Sequence, residues 1–370
     1  MSELWKEPIN GLRGFARRHV LEIGAGLIAI SLVATGRVPL GAAKRSIDAD
    51  LLLILFALLL TVEILRTSGF LDATVAVCVA RFHDTRLLAV ALVGLSGFLA
   101  SLLTNDVTLF VVVPFTIIAG RLADFEVENV VVLEIVATNL MGSLTPLGNP
   151  QNLFLFHQSG WTALFFVRTM LPFVIVAAAG VLMATILATP PTKLTVIDVP
   201  LPPRNPRMAL AGLGCFVLVI LEIARVLSGW PAAIAASIVG ICFLKRRLFA
   251  IDLSIVPLFL FAFVIVEGLR SQQVPALASH LYASSIVLSQ ILSNVPTAIL
   301  LAPIAGGRWR ELLYGVNAGG CGTIIASLAN LLGWRIYIRE SNRDPRFFRR
   351  LTIYNFVFLI WIGAGAWLLI

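Results

Sequence analysis

Charge is scarce in this chain: Asp, Glu, Lys and Arg make up 13% of its 370 residues, where an ordinary soluble domain carries about 25%. That shortage excludes a soluble globular fold with a hydrated exterior. Histidine and cysteine are scarce too, with four of each. His19, His83, His157 and His280 show no i,i+4 pairing, which excludes the usual helical transition-metal site. Cys78, Cys215, Cys242 and Cys321 stand singly inside apolar runs, without ligand spacing or pairing, and read as small core residues. No Gly-x-Ser-x-Gly, P-loop or His-Glu-x-x-His pattern is present, so no enzyme activity is expected. The net charge of +8 comes from basic residues scattered through short loops, which is how membrane orientation signals look, and no nucleic-acid partner is expected.

What is abundant is apolar length. Hydrophobic residues make up 59% of the chain and mean hydropathy is +0.95. Uncharged runs of about 17–20 residues, enough to cross a bilayer, recur from near the N-terminus to the last residue. The expected fold class is an all-α polytopic membrane protein. Spans are expected at about 20–36, 49–68, 71–82, 129–147, 163–188, 209–228, 231–244, 252–269, 312–333 and 351–370. Residues 1–19 form a basic juxtamembrane segment with no cleavage site following it.

Two further apolar pairs are interrupted by polar tips. Residues 87–104 reach Thr104-Asn105-Asp106 before 107–119, and 276–292 reach Ser293-Asn294-Val295-Pro296 before 297–305. A 13-residue helix covers only about 20 Å, too short to cross, so both pairs are expected to be re-entrant hairpins (about 87–119 and 276–305), tolerable where protein or water covers the tip. Residues 189–208, rich in proline, read as a linker between halves 20–188 and 209–370. Each half then has five crossings and one hairpin, so the halves are expected to sit upside down relative to each other. Placing the linker, residues 245–247 and residues 335–350 in the cytoplasm puts most basic residues inside and both termini outside, against the cluster Arg13, Arg17 and Arg18.

Three blocks repeat in the same order. "SLLTNDVTLFVVVP" (101–114) matches "QILSNVPTAILLAP" (290–303), with Asn105, Thr108 and Pro114 against Asn294, Thr297 and Pro303. "NLMGSLTPLGNPQN" (139–152) matches "NAGGCGTIIASLAN" (317–330), with Asn139/Asn317, Gly142/Gly320, Thr145/Thr323 and Asn152/Asn330 in register. "FALLLTVEILR" (56–66) matches "FAFVIVEGLR" (261–270). Such weak internal symmetry marks inverted-repeat secondary transporters. Pro146 and Pro150 remove backbone donors and Gly148 accepts unusual backbone angles, so the helix from 129 is expected to unwind around 143–150. Broken helices offer positive N-terminal ends to anions and free carbonyls to cations. Asn and Thr side chains add neutral donors and acceptors.

These stretches resemble the ion transporter superfamily, close to the citrate-transporter-like permeases that include divalent anion:sodium symporters. Arsenite pumps and one group of sodium/proton antiporters are more distant relatives. The resemblance covers about 20–370. It implies a scaffold domain and a moving transport domain carrying both hairpins and both unwound helices, with elevator-type motion, a cell (inner) membrane location and a homodimer as the usual assembly. It also implies that the tips grip substrate and help form sodium sites: Thr104, Asn105 and Asp106 on one side, Ser293, Asn294 and Thr297 on the other. Asn139, Thr145, Asn149, Asn152, Asn317 and Thr323 come from the unwound loops. Sodium would lie near Asn105, Asp106 and Thr145, and near Asn294 and Thr323. Dicarboxylate symporters of this group carry Ser-Asn-Thr at both tips. Here Asp106 introduces a carboxylate, as in the arsenite-pump and antiporter branches, and Val295 removes a hydroxyl.

Asp106 is expected to carry the coupling ion, the alternative being a helix cap. Glu63/Arg66 and Glu267/Arg270 read as intrahelical ion pairs. Glu22, Glu134 and Glu222 are apolar-embedded acids without an evident partner, Glu134 being the strongest as a proton site. No Lys or Arg lies in either tip or loop. The functional expectation is a secondary transporter of a small anion, carboxylate or oxyanion, coupled to Na⁺ or H⁺ and needing no cofactor. The alternative on the same fold is a Na⁺/H⁺ antiporter or an arsenite-type efflux permease.

Overall fold

The computed structural model describes residues 20–71, 73, 82, 84–123, 125–193, 205–223, 226–251, 253, 255–269, 275–340 and 345–370. Seventeen α-helices are present among them: α1 Val20–Ala34, α2 Leu40–Ser46, α3 Ala49–Thr67, α4 Thr85–Leu102, α5 Asn105–Ala123, α6 Glu128–Met141, α7 Pro150–Ser159, α8 Ala163–Ala188, α9 Pro206–Ile223, α10 Trp230–Leu244, α11 Ile255–Leu269, α12 Pro275–Ser279, α13 Leu281–Leu292, α14 Asn294–Leu301, α15 Trp309–Ala318, α16 Leu328–Glu340 and α17 Pro345–Trp367. No strand occurs among the described residues; an isolated bridge joins Asp84 to Lys193. Four helices (Thr85–Leu102, Ala163–Ala188, Pro206–Ile223 and the Arg346–Trp367 part of α17) are long and apolar enough to cross a membrane by themselves. This is an all-α polytopic membrane protein.

Two helix clusters divide the packing. In one, α3 packs against α9 and α10 while α11 packs against α1 and α2. In the other, α6 is enclosed by α4, α5, α8, α16 and α17, and α15 lies against α13, α14 and α17. Burial follows that arrangement: every residue of α6 from Val130 to Leu140 is buried, as is every residue of α15 from Leu312 to Ala318. The outward faces of α8, α10 and α17 carry Leu187, Ile241 and Ile360, all exposed, as a lipid-contacting face requires.

Most expected spans appear within a few residues. Three expectations change. The expected span at 312–333 is α15 and α16 separated by an irregular stretch, so it runs from Trp309 to Glu340 with a gap at 319–327. The second arm of the first hairpin is not short. α5 starts at Asn105 and continues through Pro114 to Ala123, and its 19 residues span about 28 Å, because a single proline within an apolar helix removes one bond without ending it. The corresponding arm of the second hairpin is short, α14 having eight residues before a 3₁₀ turn at Ala302–Ile304 containing Pro303. Cys242 is exposed and not a core residue, while Cys215 and Cys321 are buried.

Most of the expected span at 71–82, most of the linker, the basic cluster 13–18, His19, Cys78, His83 and Arg270 lie outside the described residues. The Glu63–Arg66 pair forms as expected, with two bonds of 2.8 Å. Glu222 does have a partner: its Oε1 accepts the Ala232 N–H at 2.8 Å, capping the start of α10 from α9. Glu134 accepts from Thr116 Oγ1 at 2.5 Å. Its other oxygen is buried without a partner.

Candidate functional site

Eight helix ends meet inside the second cluster. The helix that begins at Glu128 stops at Met141, tightens into a 3₁₀ turn at Gly142–Leu144 and restarts at Pro150. Proline suits the first turn of α7 because its missing donor would have no intrahelical partner there. α15 stops at Ala318, and the chain runs through Gly319, Gly320 and Gly322 before α16. The two loops so formed, 142–149 and 319–327, each receive a tip. Asn105 N–H, the first residue of α5, donates to Gly148 O at 3.1 Å; Asn294 N–H, the first of α14, donates to Ala326 O at 2.9 Å.

A second bond ties each loop to the helix entering the tip. Thr145 Oγ1 donates to Ser101 O at the end of α4, and Thr323 Oγ1 donates to Gln290 O at the end of α13 at 2.9 Å. Ser101 and Gln290 lie four residues before Asn105 and Asn294, so the same carbonyl is used in each half. These are orphan carbonyls of a helix C-terminus, which need an outside donor when buried.

The loops are then crossed to each other by amides. Asn139 Nδ2 donates to Asn330 Oδ1 at 2.8 Å, and Ser327 Oγ donates to Asn139 Oδ1 at 2.7 Å. In the reciprocal position Asn317 Nδ2 donates to Asn152 Oδ1 at 2.7 Å. Asn317 Oδ1 accepts from Gln151 Nε2 at 3.3 Å and from Asn149 Nδ2 at 3.5 Å. The remaining amide hydrogens return to the loop backbone, Asn152 to Ser143 O at 3.3 Å and Asn330 to Gly320 O at 3.0 Å. Asn139, Asn152, Asn317 and Asn330 are all buried. Each of these four amides is engaged on both its oxygen and its nitrogen, so this cross-brace holds the broken helices in register.

Closer to the tips lie further polar groups. Thr104 and Asn105 are buried, with the Thr104 carbonyl accepting the Thr108 hydroxyl at 3.1 Å. Asp106 is the second residue of α5, which places its backbone in the positive first turn of that helix. Ser293 has φ 75° and ψ 156°, a region that only glycine enters without strain. Its hydroxyl makes no cap bond and lies 3.5 Å from Asn294 Oδ1. Two buried oxygens nearby have no partner: Asn149 Oδ1 and Thr297 Oγ1.

Of the twelve nominated residues, Asn105, Thr145, Asn294 and Thr323 come together at the two tip–loop junctions, and Asn139, Asn149, Asn152 and Asn317 at the crossing between them. Asn330 and Ser327 join the same network beyond the expected residues; they stand in register with Asn152 and Asn149, and that alignment points to both. Gln290 gave no signal, since its counterpart is Ser101. Four helix N-termini (α5, α7, α14, α16) and four C-termini (α4, α6, α13, α15) converge here without a basic side chain. Such a centre presents both positive and negative partial charges from backbone alone. Among the described residues no group of three His, Cys, Asp or Glu could hold a metal ion.

Broken helices that meet at a polar centre inside a polytopic bundle define a membrane transport protein. The citrate transporter family profile matches residues 16–308. An uncharacterized transporter of Methanocaldococcus jannaschii is 35% identical over 317 residues, 83% of this chain and 85% of the relative. Inner membrane protein YbiR of Escherichia coli is 32% identical over 343 residues, 88% of each. The chain belongs to the citrate transporter family.

Proposed function

We propose that this protein is a secondary active transporter of a small anion, carboxylate or oxyanion, coupled to Na⁺ or H⁺ and residing in the cell inner membrane. The observation that carries the proposal is the convergence of eight helix ends at two equivalent tip–loop junctions. Helix N-termini bind anions without a formal counter-ion, and the adjoining carbonyls suit a cation, so substrate and coupling ion have neighbouring places. Both tips, both loops and the cross-brace belong to one packed cluster, while α3, α9 and α10 pack among themselves. That division suits an elevator in which the first cluster is the scaffold and forms the homodimer contact. The Escherichia coli relative bears the name inner membrane protein YbiR, which supports the membrane assigned here. The matching bonds in the two halves support an inverted repeat joined by the linker at 189–208.

Asp106 favours a second reading, Na⁺/H⁺ antiport or arsenite-type efflux on the same fold, because it places a carboxylate in the first turn beyond the tip. The two readings separate on thermal stability of the purified protein, in sodium and sodium-free buffer, with citrate, succinate, sulfate, phosphate and arsenite. A ligand of the native state raises Tm by mass action. A sodium-dependent rise with one anion supports anion symport; a rise with sodium or pH alone, to which no anion adds, replaces it by antiport. Under either reading Asp106→Asn abolishes ion coupling in vesicles, and an unchanged ion dependence reduces Asp106 to a helix cap.

A further inference from the structure

The two tip–loop junctions differ at the residue four before the tip asparagine. Gln290, in the last turn of α13, sends its amide across into loop 319–327. Its Nε2 donates to Gly319 O at 2.9 Å and Cys321 O at 3.0 Å, and within its own helix to Ile286 O at 3.2 Å. Its Oε1 accepts the Thr323 N–H at 2.9 Å. The loop is shaped around this amide: Gly322 has φ +108°, and a Cβ there would lie 2.1 Å from Gln290 Oε1. Three carbonyl oxygens gathered about one neutral amide NH2, whose hydrogens carry partial positive charge, resemble the oxygen shell of an alkali cation, with the amide nitrogen at its centre. In the first junction the equivalent residue is Ser101. Its hydroxyl turns back to Phe98 O at 2.7 Å within α4 and is too short to cross to loop 142–149.

We infer that Gln290 is a tethered substitute for a cation, so that the second junction takes no ion and ion coupling is confined to the first. The second clause rests on the cation-coupled reading above; the first stands on the contacts of Gln290. A glutamate at position 290 would replace two donors by an anionic oxygen among three carbonyls, an arrangement that only a bound cation or a proton relieves.

The test uses the full chain in detergent, with Tm followed at pH 8 as choline chloride is exchanged for sodium, potassium or lithium chloride at constant ionic strength. Gln290→Glu is expected to melt lower than the wild type in choline and to recover saturably in one alkali cation, and Gln290→Ser to gain a weaker response. If the wild type binds a single coupling ion its Hill coefficient is about one, rising toward two in Gln290→Glu, since the coefficient is bounded by the number of sites. Ser101→Gln is expected to lose the wild type's own ion response. Ion responses of both position-290 variants equal to the wild type's overturn the inference. So does a lowered Tm that no alkali cation restores, or one restored by acid alone. A variant that cannot be purified in choline is purified in each alkali salt instead, where recovery in one supports the inference and failure in all overturns it. If the wild type ignores cations while Gln290→Glu responds, the role of Gln290 stands and the cation-coupled function falls.

Discussion

The first and second tip–loop junctions use the same bonds on different backbones. Both pair a tip amide with a loop carbonyl and a loop threonine with the carbonyl four residues before the tip. In the first, the loop comes so near the tip helix that a Cβ on Gly148 would lie 1.9 Å from Gly142 O and 2.5 Å from Ala100 O. The second has Ala326 at that position and stores its strain elsewhere, in the positive φ of Ser293. The first loop is therefore packed backbone against backbone, and the second is packed around the Gln290 side chain. Matching hydrogen bonds can coexist with different local packing.

The largest expected effect separates the two loops. Gly148→Ala forces a methyl onto two backbone oxygens that cannot swing away, and is expected to cost about 3 kcal/mol. Gly320→Ala meets the Asn294 amide at 3.0 Å, a side chain that can yield, and Asn317 O only at 3.3 Å, and is expected to cost about 1 kcal/mol. Denaturation in detergent measures both, and equal losses would break the comparison. Next come the braces, which the comparison makes equivalent. Asn139→Ala and Asn317→Ala each strand buried polar partners and are expected to cost about 2 kcal/mol. A double-mutant cycle of Asn139 with Asn330 is expected to show coupling of about 1 kcal/mol, as residues in one network do. A large effect at only one of the two positions would show that the crossing is not two-fold. Smallest is the strain at the second tip. Ser293→Gly is expected to gain about 1 kcal/mol by relieving the backbone, whereas Thr104→Gly gains nothing because Thr104 has no positive φ. If Ser293→Gly stabilises the protein while slowing transport, the strain serves the site.

Much of the site was legible because polar residues are conspicuous in apolar sequence. Pro146, Gly148 and Pro150 announced the break after Met141, and the aligned asparagines announced its mate. The continuation of α5 through Pro114 was not legible, since the same proline spacing ends the helix at Pro303; neighbours of the helix decide which happens. Nor was the partner of Glu222 legible, because Ala232 N–H offers no side-chain signal.

The sequence by itself determined an all-α membrane protein and the break after Met141, because hydropathy and proline chemistry are local properties. Which amides are spent on bracing, which remain near the tips, and that Gln290 fills one loop while Ser101 leaves the other to different chemistry, only the tertiary structure decided. Those assignments depend on which hydrogen-bond partner lies within about 3 Å across segments distant in the chain, and no spacing along one strand of sequence encodes that distance.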